Sequence, residues 1–160
     1  MGAAYHEIFD TVPKLLEQNA PDIVIHIGLA AERDYFAIEK SAERDGYSQI
    51  PDMARRVFTK AETKAKWGKS PETLQTALDI KRVLAGWKTR VKGAADVRVS
   101  DDVGTYVCGF VYYLSLEWFQ KQRKPAHVLF LHVPLLPSVK DIDLGVKVTT
   151  DLITAVVESM

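Results

Sequence analysis

Three side chains in this sequence are of the types that carry nucleophilic catalysis: Cys108, His132 and Glu39. Cys108 follows a strand-like run ending at Ser100 and a turn containing Gly104, and stands near the start of the next helical run. A helix amino terminus offers N–H groups without acceptors and the positive end of the dipole. Both favour a thiolate, and both favour the oxyanion that forms when a carbonyl is attacked. A buried thiol packing as a small hydrophobe fits the same position. His132 closes an apolar run ahead of Pro134. There an imidazole is either a core group bonded to a backbone carbonyl or a general base for a nucleophile within reach. Glu39 stands between Ile38 and the small residues Ser41 and Ala42. A carboxylate behind the imidazole would fix its tautomer and stabilise the imidazolium. A solvated edge-strand residue, or an ion pair with Lys40 or Arg33, accounts for Glu39 equally well.

Other chemistries find less support. His6 reads as part of an exposed helix, His26 as a strand interior and His127 as a strand start. No H-x-x-x-H, C-x-x-C or carboxylate cluster has metal-ligand spacing, so no metal is expected. Gly28-Leu29-Ala30 lacks the further glycines of a dinucleotide or phosphate loop. The basic stretch from Arg55 to Lys69 includes Trp67 and has the makings of a nucleic-acid contact. A solvated loop on a charge-neutral chain explains it more simply.

The elements that must position these groups alternate. Tyr5 to Gln18 has helical spacing, with Pro13 as a kink or start. Residues 22–28 are β-branched and nearly continuous in apolar content, which predicts a strand covered on both faces. A turn, Gly28 to Arg33, follows, then a strand within residues 35–42 with Phe36 and Ile38 on one side. Residues 46–69 read as an irregular surface excursion. Ser70-Pro71-Glu72 resembles a helix start, and Ile80, Val83, Leu84, Trp87 and Val91 share one helix face that Gly93 ends. A short strand at 96–100, an apolar helix at 106–120, a buried strand at 128–133 and a last helix capped by Asp141 complete the chain. This order predicts an α/β fold with a mostly parallel sheet and helices on both faces. Ligands gather beyond the strand carboxyl ends of such sheets, and the turn at 28–33, Cys108 and His132 all reach that edge in this reading.

Composition narrows the class. The 160 residues are 47% hydrophobic and 26% charged, which suits one compact domain with a real core. Equal numbers of basic and acidic side chains, 21 of each, argue against a surface built to hold polyphosphate. One cysteine makes no internal disulfide. No apolar run approaches a membrane span, and no signal-peptide pattern opens the chain. The expectation is a cytosolic protein that engages neither membrane nor nucleic acid. The helix at 106–120, apolar on most sides, suits a core position and equally a contact in a homo-oligomer.

At these residues the sequence resembles the pyroglutamyl peptidase I family, cysteine peptidases of the C15 type. Pro21-Asp22-Ile23-Val24-Ile25-His26-Ile27-Gly28, continuing to Ile38-Glu39-Lys40, is similar to the family's strand, glycine turn and glutamate. Ser100-Asp101-Asp102-Val103-Gly104-Thr105-Tyr106-Val107-Cys108, followed by Tyr112-Tyr113-Leu114-Ser115-Leu116, resembles the block that ends in the nucleophile. Phe130-Leu131-His132-Val133-Pro134 looks like the histidine block. The last two blocks are specific together, where any one alone would be weak.

The resemblance implies a three-layer α/β/α fold of the phosphorylase/hydrolase-like type with a twisted, mostly parallel sheet. It implies removal of an amino-terminal pyroglutamate from peptides through an acyl-enzyme, by a Cys108, His132 and Glu39 triad with no metal or organic cofactor. Tyr106 and Val107 match positions that line the pyroglutamate pocket, and Leu29 stands where bacterial members carry a glutamine that contacts the lactam. Arg44 replaces a frequent asparagine. The chain begins at what resembles the family's first helix, so residues 1–160 read as a single, amino-terminally shortened domain. The rival expectation is a binding or regulatory homologue that keeps the triad without a complete pocket.

Overall fold

The computed structural model describes residues 2–160, which form two compact units. The first comprises the chain up to Val24, Ser41–Ala77 and Asp101–Val128; the second comprises Ile25–Lys40, Leu78–Ser100 and Leu129–Met160. Helices and strands alternate as expected, and the fold is α/β.

The first unit is built on aromatic packing. Helix α1 (Tyr5–Asn19) packs against the apolar helix α4 (Val107–Lys121), and α4 also covers a two-stranded ribbon. That ribbon pairs β3 (Ser41–Glu43) with β4 (Thr73–Gln75) antiparallel. Phe110 of α4 is fully buried, with ring centroids of Phe58, Tyr5, Tyr47 and Trp67 at 4.9, 5.0, 5.1 and 5.2 Å. Each such pair adds about 0.5–1.5 kcal/mol to what area burial supplies. The start of α1 has no side-chain cap of its own. Instead the buried Asp52 carboxylate accepts from the backbone N–H of Tyr5 at 2.8 Å, and from those of Ala54 and Arg56.

Three expectations are corrected in this unit. The stretch at 46–69 is not an irregular excursion, since it contains helix α2 (Lys60–Trp67), closed at its start by a capping box between Thr59 and Glu62. Tyr47, Phe58 and Trp67 are core residues. With its tryptophan buried, the basic stretch has no exposed ring on which a base could stack. The helix start read into Ser70-Pro71-Glu72 is also absent. Strand pairing wins there, because Ala42 and Leu74 meet across the ribbon and both are buried. His6 is half-buried and lies 2.8 Å from Glu62, so it is not the exposed residue expected.

The second unit holds a four-stranded sheet of β1 (Val24–Leu29), β2 (Phe36–Glu39), β5 (Val97–Ser100) and β6 (Val128–Val133), in the order β1-β6-β2-β5. β2 and β5 run parallel. β1 and β6 do too, with the N–H of Val24 donating to the carbonyl of His127 and that of Ala30 to Val133. The central pair, β2 with β6, is antiparallel. Helix α3 (Ile80–Val91), capped by Asp79, packs on β5 and on α5 (Val139–Ser159), and the Trp87 indole donates to the Val148 carbonyl at 2.8 Å. Ser138 caps α5, and Asp141 closes the box from the third helical position.

The sheet order corrects three readings. β1 is an outer strand and not covered on both faces: Ile27 and Leu29 are 57% and 56% exposed. The doubly covered place belongs to β6, buried from Val128 to His132. Glu39 lies on an interior strand and has no solvent exposure, so the edge-strand reading fails. Because β6 opposes β2, Leu29 and Val133 end at one sheet edge while Glu39 and Ser100 end at the other. The turn at 28–33 and His132 therefore share one edge and β5 ends at the other, so the strand carboxyl ends do not form a single edge. Apolar runs carry no strand direction, which is why this was not legible beforehand.

Candidate active site

His132 and Glu39 come together on one face of the second unit's sheet. Ala37 pairs with His132 and Glu39 with Phe130, so Glu39 and His132 are diagonal neighbours across an antiparallel ladder. Long side chains span such a diagonal. The ring nitrogen Nδ1 of His132 lies 2.8 Å from Oε1 of Glu39, with both groups buried. Arg33, from the turn after β1, places Nη1 at 2.7 Å from the same oxygen, and only 15% of its side chain is exposed. Ser100, in register with Glu39 on β5, adds a third hydrogen bond to the carboxylate.

Burial alone would push the Glu39 carboxyl up. The hydrogen bonds from His132, Ser100 and Arg33, with attraction to His132, more than offset it and hold the group below its ordinary value. Glu39 is therefore an anion that only accepts, so Nδ1–H of His132 is the donor in their bond. That fixes the tautomer and leaves Nε2 as the nitrogen able to take or give a proton.

The Phe130 ring separates His132 from a second imidazole. Its centroid is 4.7 Å from that of His132 and 6.1 Å, stacked, from that of His26. Burial lowers His26 to about 4, so it is neutral at physiological pH and adds no charge beside the pair.

Cys108 belongs to the first unit, as the second residue of α4, and is half-buried. The expected helix-terminus placement is what the structure shows. Tyr106 is the cap residue and provides no side-chain cap, while its ring packs edge-on against Tyr5 at 6.0 Å. Val107 opens the helix, and both residues are half-buried. The turn before them folds tightly onto the first helical turn. A Cβ at Gly109 would stand 2.0 Å from the Gly104 carbonyl oxygen, so only glycine fits beside Cys108. Gly104 itself has φ 79°, which favours glycine again. Leu29 ends the outer strand β1 and is exposed.

Of the six residues singled out from the sequence, Glu39 and His132 are thus bonded to each other. Tyr106, Val107 and Cys108 are consecutive at the head of α4, and Leu29 stands on β1. Three contributors escaped the sequence reading. From the sequence Arg33 is only an alternative to a role for Glu39, yet it shares the carboxylate with His132. Ser100 is placed by strand register, which needs the sheet order. Gly109 shows its necessity only when the turn's path is known.

The sequence model for the family described as pyroglutamyl peptidase matches residues 1–159. The pyrrolidone-carboxylate peptidase of Pyrococcus furiosus is 32% identical over 129 residues, 81% of this chain and 59% of that protein. Pyroglutamyl-peptidase 1 of Homo sapiens is 28% identical over 132 residues, 82% of this chain and 58% of that protein. The chain thus spans less than two thirds of the length of these relatives. Among solved structures, the pyrrolidone carboxyl peptidase of P. furiosus superposes with a TM-score of 0.80 at 22% identity, covering 99% of this chain and 79% of that one. That likeness shows the fold.

Proposed function

Because the chain belongs to the pyroglutamyl peptidase family, we propose that it is a cysteine peptidase releasing an amino-terminal pyroglutamyl residue from peptides. Cys108 is the nucleophile, His132 the proton carrier and Glu39 the residue that orients it. The observation that carries this reading is the buried bond between His132 and an ionised Glu39, which keeps Nε2 available and stabilises the imidazolium.

The steps follow from those roles. The Cys108 thiolate attacks the pyroglutamyl carbonyl carbon, and the carbonyl π pair moves to oxygen. N–H groups of the first turn of α4 stabilise that oxyanion. As the intermediate collapses, the C–N bond breaks and the departing amine takes the proton from His132. Water then attacks the thioester, gives its proton to His132, and pyroglutamate leaves as the thiolate is restored. The lactam ring is neutral, so its recognition calls for apolar walls and a few hydrogen bonds, not a counter-ion. Leu29, Tyr106 and Val107 are the residues proposed for that role. No cofactor enters these steps.

The binding-homologue reading keeps one specific observation in its favour, the 56% exposure of Leu29, an apolar side chain facing water where ring recognition calls for an enclosed wall. Hydrolysis of a fluorogenic pyroglutamyl amide against matched prolyl and glutamyl amides decides between the two. The peptidase reading expects cleavage of the pyroglutamyl amide alone. Absence of cleavage, with the protein folded, supports the binding homologue.

A further inference from the structure

We infer that Arg33 is a positioning residue for the Glu39–His132 pair: its guanidinium fixes the carboxylate's charge and turns one oxygen toward the imidazole. This rests on the peptidase reading above for its consequence in catalysis, but not for its geometry. Arg33 Nη1 and His132 Nδ1 reach the same atom, Oε1 of Glu39, at 2.7 and 2.8 Å. Two donors converging on one oxygen of a fully buried carboxylate leave it little freedom to rotate. A guanidinium does not deprotonate in proteins, so protonating Glu39 would strand a largely buried cation beside a neutral acid. Arg33 thereby opposes the effect of burial, which by itself would protonate the carboxyl.

Among the described residues no other cation takes this place. On β5, Arg98 shares a sheet face with Glu39, but its guanidinium donates to Asp96 at 2.6 and 2.9 Å and lies 4.0 Å over the Tyr35 ring. Lys40 is exposed. Ser100 on β5 also bonds the carboxylate, and beyond Phe130 lies His26 on β1. Arg33 itself is held in the turn, its backbone N–H donating to the Ala30 carbonyl at 3.0 Å. The same turn leaves β1 just past Leu29, so one side chain ties the strand end proposed for ring contact to the pair that moves the proton.

The test uses the full chain labelled with ¹³C at glutamate carboxyls, with the Glu39 signal assigned by its loss in Glu39→Gln. Arg33→Met is expected to raise the Glu39 titration midpoint by about one pH unit or more. Arg33→Lys, which keeps the charge, should stay close to the native midpoint. Arg33→Gln, which keeps a donor without the charge, should behave like the methionine variant and serves if that one fails to fold. On a pyroglutamyl amide, Arg33→Met should lose about tenfold in kcat with KM nearly unchanged, and Arg33→Lys should recover most of it. A Glu39 midpoint in the folded uncharged variants equal to the native one overturns the inference. So does a loss that falls on KM alone. If the native chain hydrolyses no pyroglutamyl amide, the peptidase reading fails, while the titration still decides the role of Arg33.

Discussion

A buried carboxylate on an interior strand and a half-buried imidazole on the outer strand make stability depend on acid. Glu39 has a lowered native value, so what it contributes is fully present above its ordinary 4.5 and is lost as pH falls through the native value. His26 is a base whose native value is lowered from 6.5 to about 4, so the unfolded chain takes up the proton first. Its contribution is complete above 6.5 and declines as pH falls from 6.5 toward 4, by roughly 3 kcal/mol at most. His26→Phe keeps a ring beside Phe130 and removes this titration. Denaturant midpoints measured between pH 7 and 4 should fall less steeply in that variant; an identical slope would refute the assignment. At the same scale, Gly109→Ala should cost about 2 kcal/mol in chemical denaturation, because its Cβ meets a backbone oxygen. Residue types were what the sequence showed best. A cysteine behind a glycine turn, a histidine ahead of proline and a lone glutamate in an apolar run could each be named. Which donors share the carboxylate could not, because Arg33 and Ser100 reach it only through the turn's path and the strand register.

Elements defined by apolar periodicity were legible, and those defined by capping or pairing were not. Strand β6 and helices α1, α4 and α5 fall where their apolar residues repeat. Helix α2 was hidden because lysines occupy most of its surface and only Thr63 and Trp67 are buried. Its mark was Thr59 three positions before Glu62, a reciprocal cap that a search for apolar spacing passes over. Thr59→Ala should destabilise the chain by about 1 kcal/mol in urea unfolding. Trp67→Ala should cost about 3–5 kcal/mol, since the ring touches Phe58, Phe110 and Tyr113 in the core. A small effect at Trp67 would show that α2 is peripheral after all. Ser70-Pro71-Glu72 is the converse case, with residues that suit a helix start but successors that alternate as β4 does.

For the whole molecule, the α/β class was evident from the alternation of elements, whereas the antiparallel centre of the sheet was not, since a run such as Val-Leu-Phe-Leu fits either direction. Membership in the pyroglutamyl peptidase family follows from a match over residues 1–159. Among the described residues no helix is long and apolar enough to cross a membrane. In the proposed function Cys108 accepts the pyroglutamyl group while His132, oriented by Glu39, carries the proton. The most direct measurement is to quench the chain with acid during turnover of a pyroglutamyl amide and map the adduct by peptide mass spectrometry. The expected result is a pyroglutamyl thioester on the peptide containing Cys108, absent in Cys108→Ala. Turnover with no adduct, or an adduct on another residue, would contradict the account.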